Sequence, residues 1–192
     1  MSRILKVVML TAFVAVVSAP TLAYADGFIS PFVGTNFGNN TGNGRINVGG
    51  NVGWMGSGVI GVEGDFGYAP NFFGDQGVFG SNSVIDVMGN LIVGIPVGGT
   101  RGVGVRPYGT IGGGLMRSHI DGASNNAGAF TDNEFGLNAG VGVMGYFSNH
   151  LGLRGDVRYF RNVTDSSTTN NANIDFGAFH FWRASFGVVI RP

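Results

Sequence analysis

The sequence of 192 residues has no cysteine and few charged side chains, and each absence excludes a class of protein. Without cysteine, neither a disulfide nor a thiolate metal site can form. The 11 basic and 11 acidic residues sum to a formal charge of zero. Because nucleic-acid-binding proteins normally carry a basic patch, this balance argues against that class. The six prolines and the absence of a triplet glycine period exclude collagen.

Glycine, in contrast, is abundant, with 36 residues. Each glycine in a helix interior costs about 1 kcal/mol relative to alanine, so this density argues against long helices. High glycine content together with a charged fraction of only 11% is unusual for a soluble domain. A chain without disulfides has to be held together by hydrogen bonds and burial.

Residues 1–25 have the organisation of a secretory signal peptide. Two basic residues, Arg3 and Lys6, precede an apolar run, and the segment ends in Ala23-Tyr24-Ala25. Basic, apolar and Ala-x-Ala regions in this order are typical of a cleaved signal, and they predict cleavage before Asp26. The apolar run is shorter than the roughly 20 residues of a transmembrane helix. No later stretch is apolar enough to span a bilayer as a helix.

The mature chain, residues 26–192, is predicted to be a single all-β domain. Several stretches alternate in side-chain character: Phe135, Leu137 and Val141 share one face, whereas glycine and asparagine occupy the other. A period of two residues is that of a β-strand. The regular stretches are 46–54, 60–68, 135–147, 151–159 and 182–190, and the less regular ones are 28–37, 84–95 and 105–116.

Proline interrupts two of the less regular stretches, at Pro31 and Pro107. Because proline cannot donate a hydrogen bond to a strand ladder, we place both residues near strand starts. The total is eight strands, an even number as in single-chain bacterial barrels.

The connections between the predicted strands alternate in length, and the first one is long. This order is typical of an outer-membrane barrel whose termini both lie in the periplasm. We therefore predict an eight-stranded antiparallel up-and-down transmembrane β-barrel in the bacterial outer membrane. The long connections are 38–45, 69–82, 117–133 and 162–175, and the short ones are 56–58, 97–104 and 148–150.

Alternation alone does not determine which face of the wall lies outside. A soluble lipocalin-like barrel would direct its apolar face inward. Here the polar faces consist mainly of glycine, asparagine and small residues, and aromatic residues lie near the ends of the apolar faces. Both features favour an apolar outer face flanked by interfacial aromatics. The predicted lipid-interface aromatics are Trp54, Phe66, Tyr68, Phe135, Phe147, Tyr159 and Trp182.

This orientation directs six charged side chains into the lumen. Eight strands leave an interior barely wide enough for side chains, and an unpartnered buried charge costs several kcal/mol. We therefore expect the three arginines to bridge the three acids in one network. The favoured interpretation is a structural plug, and the alternative is a polar path for ions or small solutes. The predicted lumen charges are Glu63, Asp65, Arg154, Asp156, Arg158 and Arg183.

Two further patterns in the sequence resemble chemical sites. Gly56-Ser57-Gly58-Val59-Ile60-Gly61 matches a dinucleotide-binding spacing, but that site requires a following helix, so the pattern predicts a tight turn here. The three histidines, His119, His150 and His180, have no paired metal-ligand spacing. The sequence predicts no metal and no cofactor.

One enzymatic hypothesis concerns the predicted loop 117–133. It contains Ser118, His119, Asp121 and Ser124, side chains of the kind that lipid-modifying barrels use near the outer rim. Nearness in sequence does not make a catalytic triad, which needs a specific geometry. We predict no catalytic residue and no enzyme, and a polar loop in this place.

Four segments carry a resemblance to a known family. In order along the chain, they resemble the outer-membrane β-barrel domain family of small bacterial porin-like proteins, related in architecture to the OmpA membrane domain. The segments are Phe28-Ile29-Ser30-Pro31-Phe32-Val33-Gly34, Gly61-Val62-Glu63-Gly64-Asp65-Phe66-Gly67-Tyr68, Arg106-Pro107-Tyr108-Gly109 and Gly152-Leu153-Arg154-Gly155-Asp156-Val157-Arg158-Tyr159-Phe160.

The resemblance implies outer-membrane lipid and the outer-membrane assembly machinery as partners, but no single activity. Members usually end in an aromatic residue that the machinery recognises, whereas this chain ends in Pro192. We predict a structural envelope protein with a surface-interaction role. The alternative is a narrow porin-like channel for ions or small solutes. No nucleic acid is expected as a partner, and the sequence does not identify a ligand for the exposed loops.

Overall fold

A computed structural model describes most of the predicted mature chain. The predicted signal peptide lies outside the described residues except for Ala25, so it stays a prediction. Among the described residues, no helix has the length and apolarity that a membrane-crossing helix requires. The described residues are 25–38, 41, 44–73, 82–99, 102–120, 130–163 and 179–192.

Eight antiparallel strands form one closed barrel in which neighbours in sequence are neighbours in space. The first strand also pairs with the last, with Val33 opposite Phe186, and this pairing closes the barrel. The predicted up-and-down barrel is confirmed. The strands are β1 (Ala25–Phe37), β2 (Arg45–Gly56), β3 (Ile60–Pro70), β4 (Asn82–Gly94), β5 (Gly104–Ile120), β6 (Phe130–Tyr146), β7 (Leu151–Asn162) and β8 (His180–Ile190).

The two faces of the barrel wall differ in chemistry as alternation predicts. Apolar side chains face outward, with Val141 67% exposed and Ile46 63% exposed. Arg158 and Arg183 face inward and are completely buried. A soluble barrel with an apolar interior would show the opposite arrangement, so that alternative is wrong.

The two ends of the barrel also differ. Three connections, 57–59, 95–103 and 147–150, lie at one end together with the start of β1 and the end of β8, and they have three, nine and four residues. We call this the turn end and the opposite end the loop end. The four connections at the loop end, 38–44, 71–81, 121–129 and 163–179, have seven, eleven, nine and seventeen residues and are therefore longer on average. Outer-membrane barrels have short periplasmic turns and longer extracellular loops, so the loop end faces outward from the cell.

Strands β5 and β6 extend further toward the loop end than the sequence predicted. The ladder continues through Arg117 opposite Asn133 and His119 opposite Thr131, so the connection is 121–129 rather than 117–133. The polar side chains in these extensions were interpreted as a loop. Backbone hydrogen bonds, however, hold a ladder together whatever the side chains are, and polar side chains suit a strand that projects beyond the apolar band.

Pro31 lies well inside β1 rather than near its start, which corrects the prediction. In the ladder between β1 and β8, Ile29 pairs with Ile190 and Phe32 pairs with Gly187. The two β1 residues between them, Ser30 and Pro31, form no pair with β8. Proline lacks the N–H that the ladder needs at this point. Pro107, the fourth residue of β5, lies near the strand start as expected.

Candidate functional site in the barrel lumen

The six charged side chains predicted for the lumen come from three strands and meet inside the barrel. Glu63 and Asp65 point inward from β3, and Arg154, Asp156 and Arg158 point inward from β7. Within each strand these residues are two positions apart, so the pleat directs all of them to one face. Strands β3 and β7 lie opposite each other in an eight-stranded ring, so their ion pairs cross the lumen.

Arg154 and Arg158 of β7 share the Glu63 carboxylate. An Nη2 atom of each arginine lies near it, at 2.6 Å from Oε2 for Arg154 and 2.8 Å from Oε1 for Arg158. Arg158 also pairs with Asp65 at 3.1 Å and with Asp156 at 3.1 Å. One completely buried guanidinium group thus holds three carboxylates together.

Arg183 of β8 links the network to a further acid that the sequence analysis did not include, Asp86. Its Nη2 atom donates to Asp65 at 2.6 Å and its Nη1 atom donates to Asp86 Oδ1 at 2.9 Å. Asp86 lies on β4, directly across the ring from β8, and is 1% exposed. Four buried carboxylates therefore face three buried guanidinium groups in the central part of the lumen.

Asp86 is difficult to assign to a face from the sequence of β4 alone. It shares the inward face with Asn82 and Asn90, at spacings of four residues. The same face also carries Val84 and Met88, so β4 is apolar on both sides in places. Alternation was too weak to assign a face to Asp86 without the paired neighbours.

Uncharged donors supply further hydrogen bonds to the carboxylates. The Tyr108 hydroxyl donates to Asp156 Oδ2 at 2.7 Å and accepts from Arg154 Nε at 2.7 Å. The Asn51 amide donates to Asp65, and the Asn90 amide donates to Glu63 at 3.3 Å. Ionised carboxylates are acceptors only, so these neutral donors help to balance the excess of acids.

Aromatic rings cover the guanidinium groups on the sides that the acids do not occupy. The Arg183 guanidinium carbon lies 4.9 Å from the Phe32 ring centre and 4.7 Å from that of Phe160. Arg154 lies 4.8 Å from the Tyr108 ring centre. Cation–π contacts of this kind are stronger when desolvated, as here.

A layer of mainly apolar side chains lies on each side of the polar layer. Buried polar residues accompany both layers, Arg106 and Arg191 at the turn end and Glu134 and Asn162 at the loop end. The turn-end layer is centred on the buried Met55, Ile92 and Met144, and the loop-end layer includes a group of phenylalanines in which Phe160 stacks on Phe181 at 4.8 Å. The turn-end layer is Phe28, Met55, Ile92, Tyr108, Met144, Tyr146 and Val189. The loop-end layer is Ala69, Phe72, Val84, Met88, Met116, Phe160, Phe179 and Phe181.

The aromatic residues predicted for the lipid interface all lie on the outer wall or at its edge. Trp54 and Phe147 are near the turn end, whereas Tyr68, Tyr159 and Trp182 are near the loop end. Six of the seven are exposed, and Tyr159 is half-buried beside Trp182. The six exposed aromatics are Trp54, Phe66, Tyr68, Phe135, Phe147 and Trp182. Their role as membrane-interface anchors stays a proposal.

The other candidate sites have these positions. Residues 57–59 form the turn between β2 and β3, with Ser57 and Gly58 at positive φ. Ser118 and His119 lie in the β5 extension, whereas Asp121 and Ser124 lie outside the described residues. The described part of the chain contains no group of three or more His, Cys, Asp or Glu side chains that could hold a metal ion.

Comparison with known proteins gives the family. The chain matches the family model "Outer membrane protein beta-barrel domain" over residues 9–185. Comparison with curated proteins finds no match.

Among solved structures, Neisserial surface protein A aligns with a TM-score of 0.62 and 12% identity, covering 88% of this chain and 97% of that chain. The N-terminal β-barrel domain of OprF from Pseudomonas aeruginosa aligns with a TM-score of 0.54 and 18% identity, covering 87% and 97%. Ail, the attachment invasion locus protein of Yersinia pestis, aligns with a TM-score of 0.53 and 12% identity, covering 88% and 99%. At these identities the likeness concerns the fold. The chain belongs to the outer membrane protein β-barrel domain family and is a protein of the bacterial outer membrane.

Proposed function

We propose that this protein is a structural component of the outer membrane, a plugged barrel that holds four outer loops at the cell surface for contacts with other molecules. The observation that carries the proposal is the filling of the lumen. Ion pairs join opposite walls at its centre, and an apolar layer lies above and below them. A water-filled path would have to pass all three layers.

The filling is also unsuited to solute transport on energetic grounds. A solute passing the centre would have to break ion pairs of Arg158, whose guanidinium group is completely buried. Breaking a buried pair typically costs about 3–5 kcal/mol. The ring of eight strands leaves no spare width beside the network.

Single-channel recording in planar bilayers tests the closed lumen. We expect no steady conductance from protein that shows the heat-dependent shift in electrophoretic mobility of a folded barrel. A large porin reconstituted in the same way is the positive control. Steady openings that change in ion selectivity with Arg154→Gln would contradict the plug and support the alternative, a narrow channel for ions or small solutes.

The surface role rests on the loop composition, because the long connections are rich in Asn, Gly, Ser, Thr and Asp. Exposed loops on a rigid scaffold are common binding sites. The fold supports a ligand site in one relative, since Ail of Yersinia pestis was solved in complex with the heparin analogue sucrose octasulfate.

To test the surface role, residues 121–129 and 164–178 are replaced by short turns, which leaves the buried Phe179 in place. We expect the barrel to keep its heat-dependent mobility shift, while adhesion of cells to one another or to coated surfaces falls. Unchanged adhesion in cells that carry the folded variant would contradict the surface role.

A further inference from the structure

A groove on the outer wall of the barrel is not explained by the lumen or the loops. It has a volume of about 690 Å³ and runs across β4 to β8. It is open to the surroundings along most of its length, so it is a shallow groove and not an enclosed cavity. The groove is lined by Leu91, Val93, Gly109, Thr110, Ile111, Ala139, Gly140, Val141, Val157, Tyr159 and Trp182.

The groove exists because two small residues interrupt rows of large outward-facing side chains. Ala139 lies in register between Ile111 and Tyr159, and Gly109 lies in register between Val93 and Val141. A side chain at Gly109 would have open space in front of it, since a Cβ atom there would contact only the Gly140 carbonyl oxygen, at 3.9 Å.

The groove ends toward the loop end in an aromatic pair and, beyond it, in two basic residues. The rings of Tyr159 and Trp182 lie 5.1 Å apart. The next outward-facing residues on the same strands are Arg161 and His180, which are opposite each other in register. Two strand residues span about 7 Å. The side chains of Arg161 and His180 therefore lie about as far beyond the groove as a lipid headgroup lies beyond its acyl chains.

We propose that the groove binds an acyl chain of an anionic, phosphate-bearing lipid of the outward-facing leaflet, whose phosphate contacts Arg161 and His180. The lining is apolar, as an acyl chain requires, and the aromatic pair has the amphipathic character of residues at the headgroup boundary. Arginine binds phosphate through charge-assisted hydrogen bonds. The inference concerns the outer wall and does not depend on whether the lumen conducts.

A second copy of this chain fits the same surface less well. A symmetric dimer in a membrane has its twofold axis along the membrane normal, so both copies present the same residues at the same depth. An interface centred on the groove would bring the two Arg161 side chains toward each other, and like charges repel. Charge complementarity therefore favours the lipid.

Tryptophan fluorescence gives a direct test, because the chain has only two tryptophans and one of them lines the groove. In the Trp54→Phe protein, Trp182 is the only reporter. The protein is placed in phosphatidylcholine vesicles with a minor fraction of phosphatidylglycerol, and bromine quenchers are attached to the acyl chains of one lipid or the other.

Per mole fraction, we expect brominated phosphatidylglycerol to quench Trp182 about fivefold more than brominated phosphatidylcholine. This ratio corresponds to the roughly 1 kcal/mol by which one basic residue near a membrane surface attracts anionic lipid. Trp54 in the Trp182→Phe protein is expected to show no preference. Equal quenching of Trp182 by both lipids, or an equal preference at Trp54, would overturn the proposal.

Matched variants separate the groove from general attraction to the protein. Gly109→Leu fills the groove and is expected to abolish the preference, and Arg161→Gln is expected to reduce it. Gly50→Leu is the control, because Gly50 lies on β2 outside the groove and its new Cβ would meet only backbone at 3.8 Å or more.

A persistent preference in folded Gly109→Leu protein would overturn the proposal. Ala139→Leu, which fills the same groove from β6, replaces Gly109→Leu if that protein does not fold. Disulfide-linked dimers of Gly109→Cys in dilute vesicles would also overturn it, because a second copy would then occupy the groove.

Discussion

The inner and outer faces of β7 are formed by alternate residues of one short segment, yet the two faces place different requirements on their side chains. Leu153 and Val157 face outward and have no specific partner in the described part of the chain, whereas Arg154, Asp156 and Arg158 face inward and each contact identified atoms. The outer face needs only apolar character because lipid tails accept any apolar shape. The inner face needs particular partners, because a charge without one is costly.

The interior itself contains both kinds of packing. Its polar layer holds opposite walls together through Arg158 and Arg183, and the apolar layers on each side exclude water from it. Exclusion of water strengthens each ion pair and raises the cost of losing one member. We therefore expect the largest effect from the loss of a lumen charge, a smaller one from a charge placed on the outer wall, and the smallest from a methyl group added inside the lumen.

The largest effect is expected for Arg158→Met. The substitution leaves Glu63, Asp65 and Asp156 close together with one cation fewer. Removing one partner of a buried ion pair costs about 3–5 kcal/mol, and this arginine serves three acids. The free energy of unfolding, measured by urea titration in lipid vesicles, should fall by at least that amount.

The matched control is Arg161→Met on the same strand, where the side chain is exposed on the outer wall. Both variants are measured in vesicles of phosphatidylcholine alone, so that the proposed contact of Arg161 with an anionic lipid does not contribute. We expect a change within about 0.5 kcal/mol, as for surface positions in general. If both arginines gave losses below 1 kcal/mol, the lumen would have to be solvated, and the contrast between the two faces would fail.

An intermediate effect is expected when a charge is placed on the outer wall, at Val141→Arg. Val141 is 67% exposed to the surroundings of the barrel, which are lipid in the membrane. Arginine on the lipid face of a barrel costs about 2–4 kcal/mol at the midplane and about 0–1 kcal/mol near the interfaces.

Urea titration in vesicles again measures the loss, and Val105→Arg, at the start of β5 near the turn end, is the control for depth. Val141→Leu should change the free energy of unfolding by less than about 0.5 kcal/mol, because lipid chains can pack against either apolar side chain. Equal losses for arginine at the two depths would contradict a lipid-exposed outer wall.

The residues of the outer face could be predicted from the sequence because each of them has to be apolar to contact lipid, independently of its neighbours. In β6, Phe135, Leu137 and Val143 could be assigned outward from alternation alone. The strand number was predicted for a similar reason, since it depends on local patterns. The predicted alternation of long and short connections holds only on average, because the connection 95–103 is as long as 121–129.

The interior was less predictable because its residues depend on partners far away in sequence. Arg183 pairs with Asp86, 97 positions earlier in the chain, and no local pattern indicates this contact. The apolar layers were missed for the same reason: Phe72 and Phe179, which contact each other, follow or precede strands rather than alternate within them. The β5 extension could not be predicted because it is held by backbone hydrogen bonds to β6, and its polar side chains do not show the alternation of a membrane-spanning strand.

The smallest of the three effects, and the sharpest comparison of the faces, is expected from adding one methyl group at neighbouring glycines. Gly142 faces the lumen, where a new Cβ would lie 2.5 Å from the Tyr108 ring and 2.6 Å from Asp156 Cβ. Gly142→Ala therefore has to displace two members of the network, and overpacking of this kind costs about 1–3 kcal/mol. Gly109→Ala, on the adjacent outer position, has open space in front of it and should change the free energy of unfolding by less than about 0.5 kcal/mol. Urea titration of the two proteins side by side measures the difference. Equal free energies of unfolding for the two variants would mean that the lumen accommodates an added methyl group without cost. The interior would then not be closely packed around Gly142.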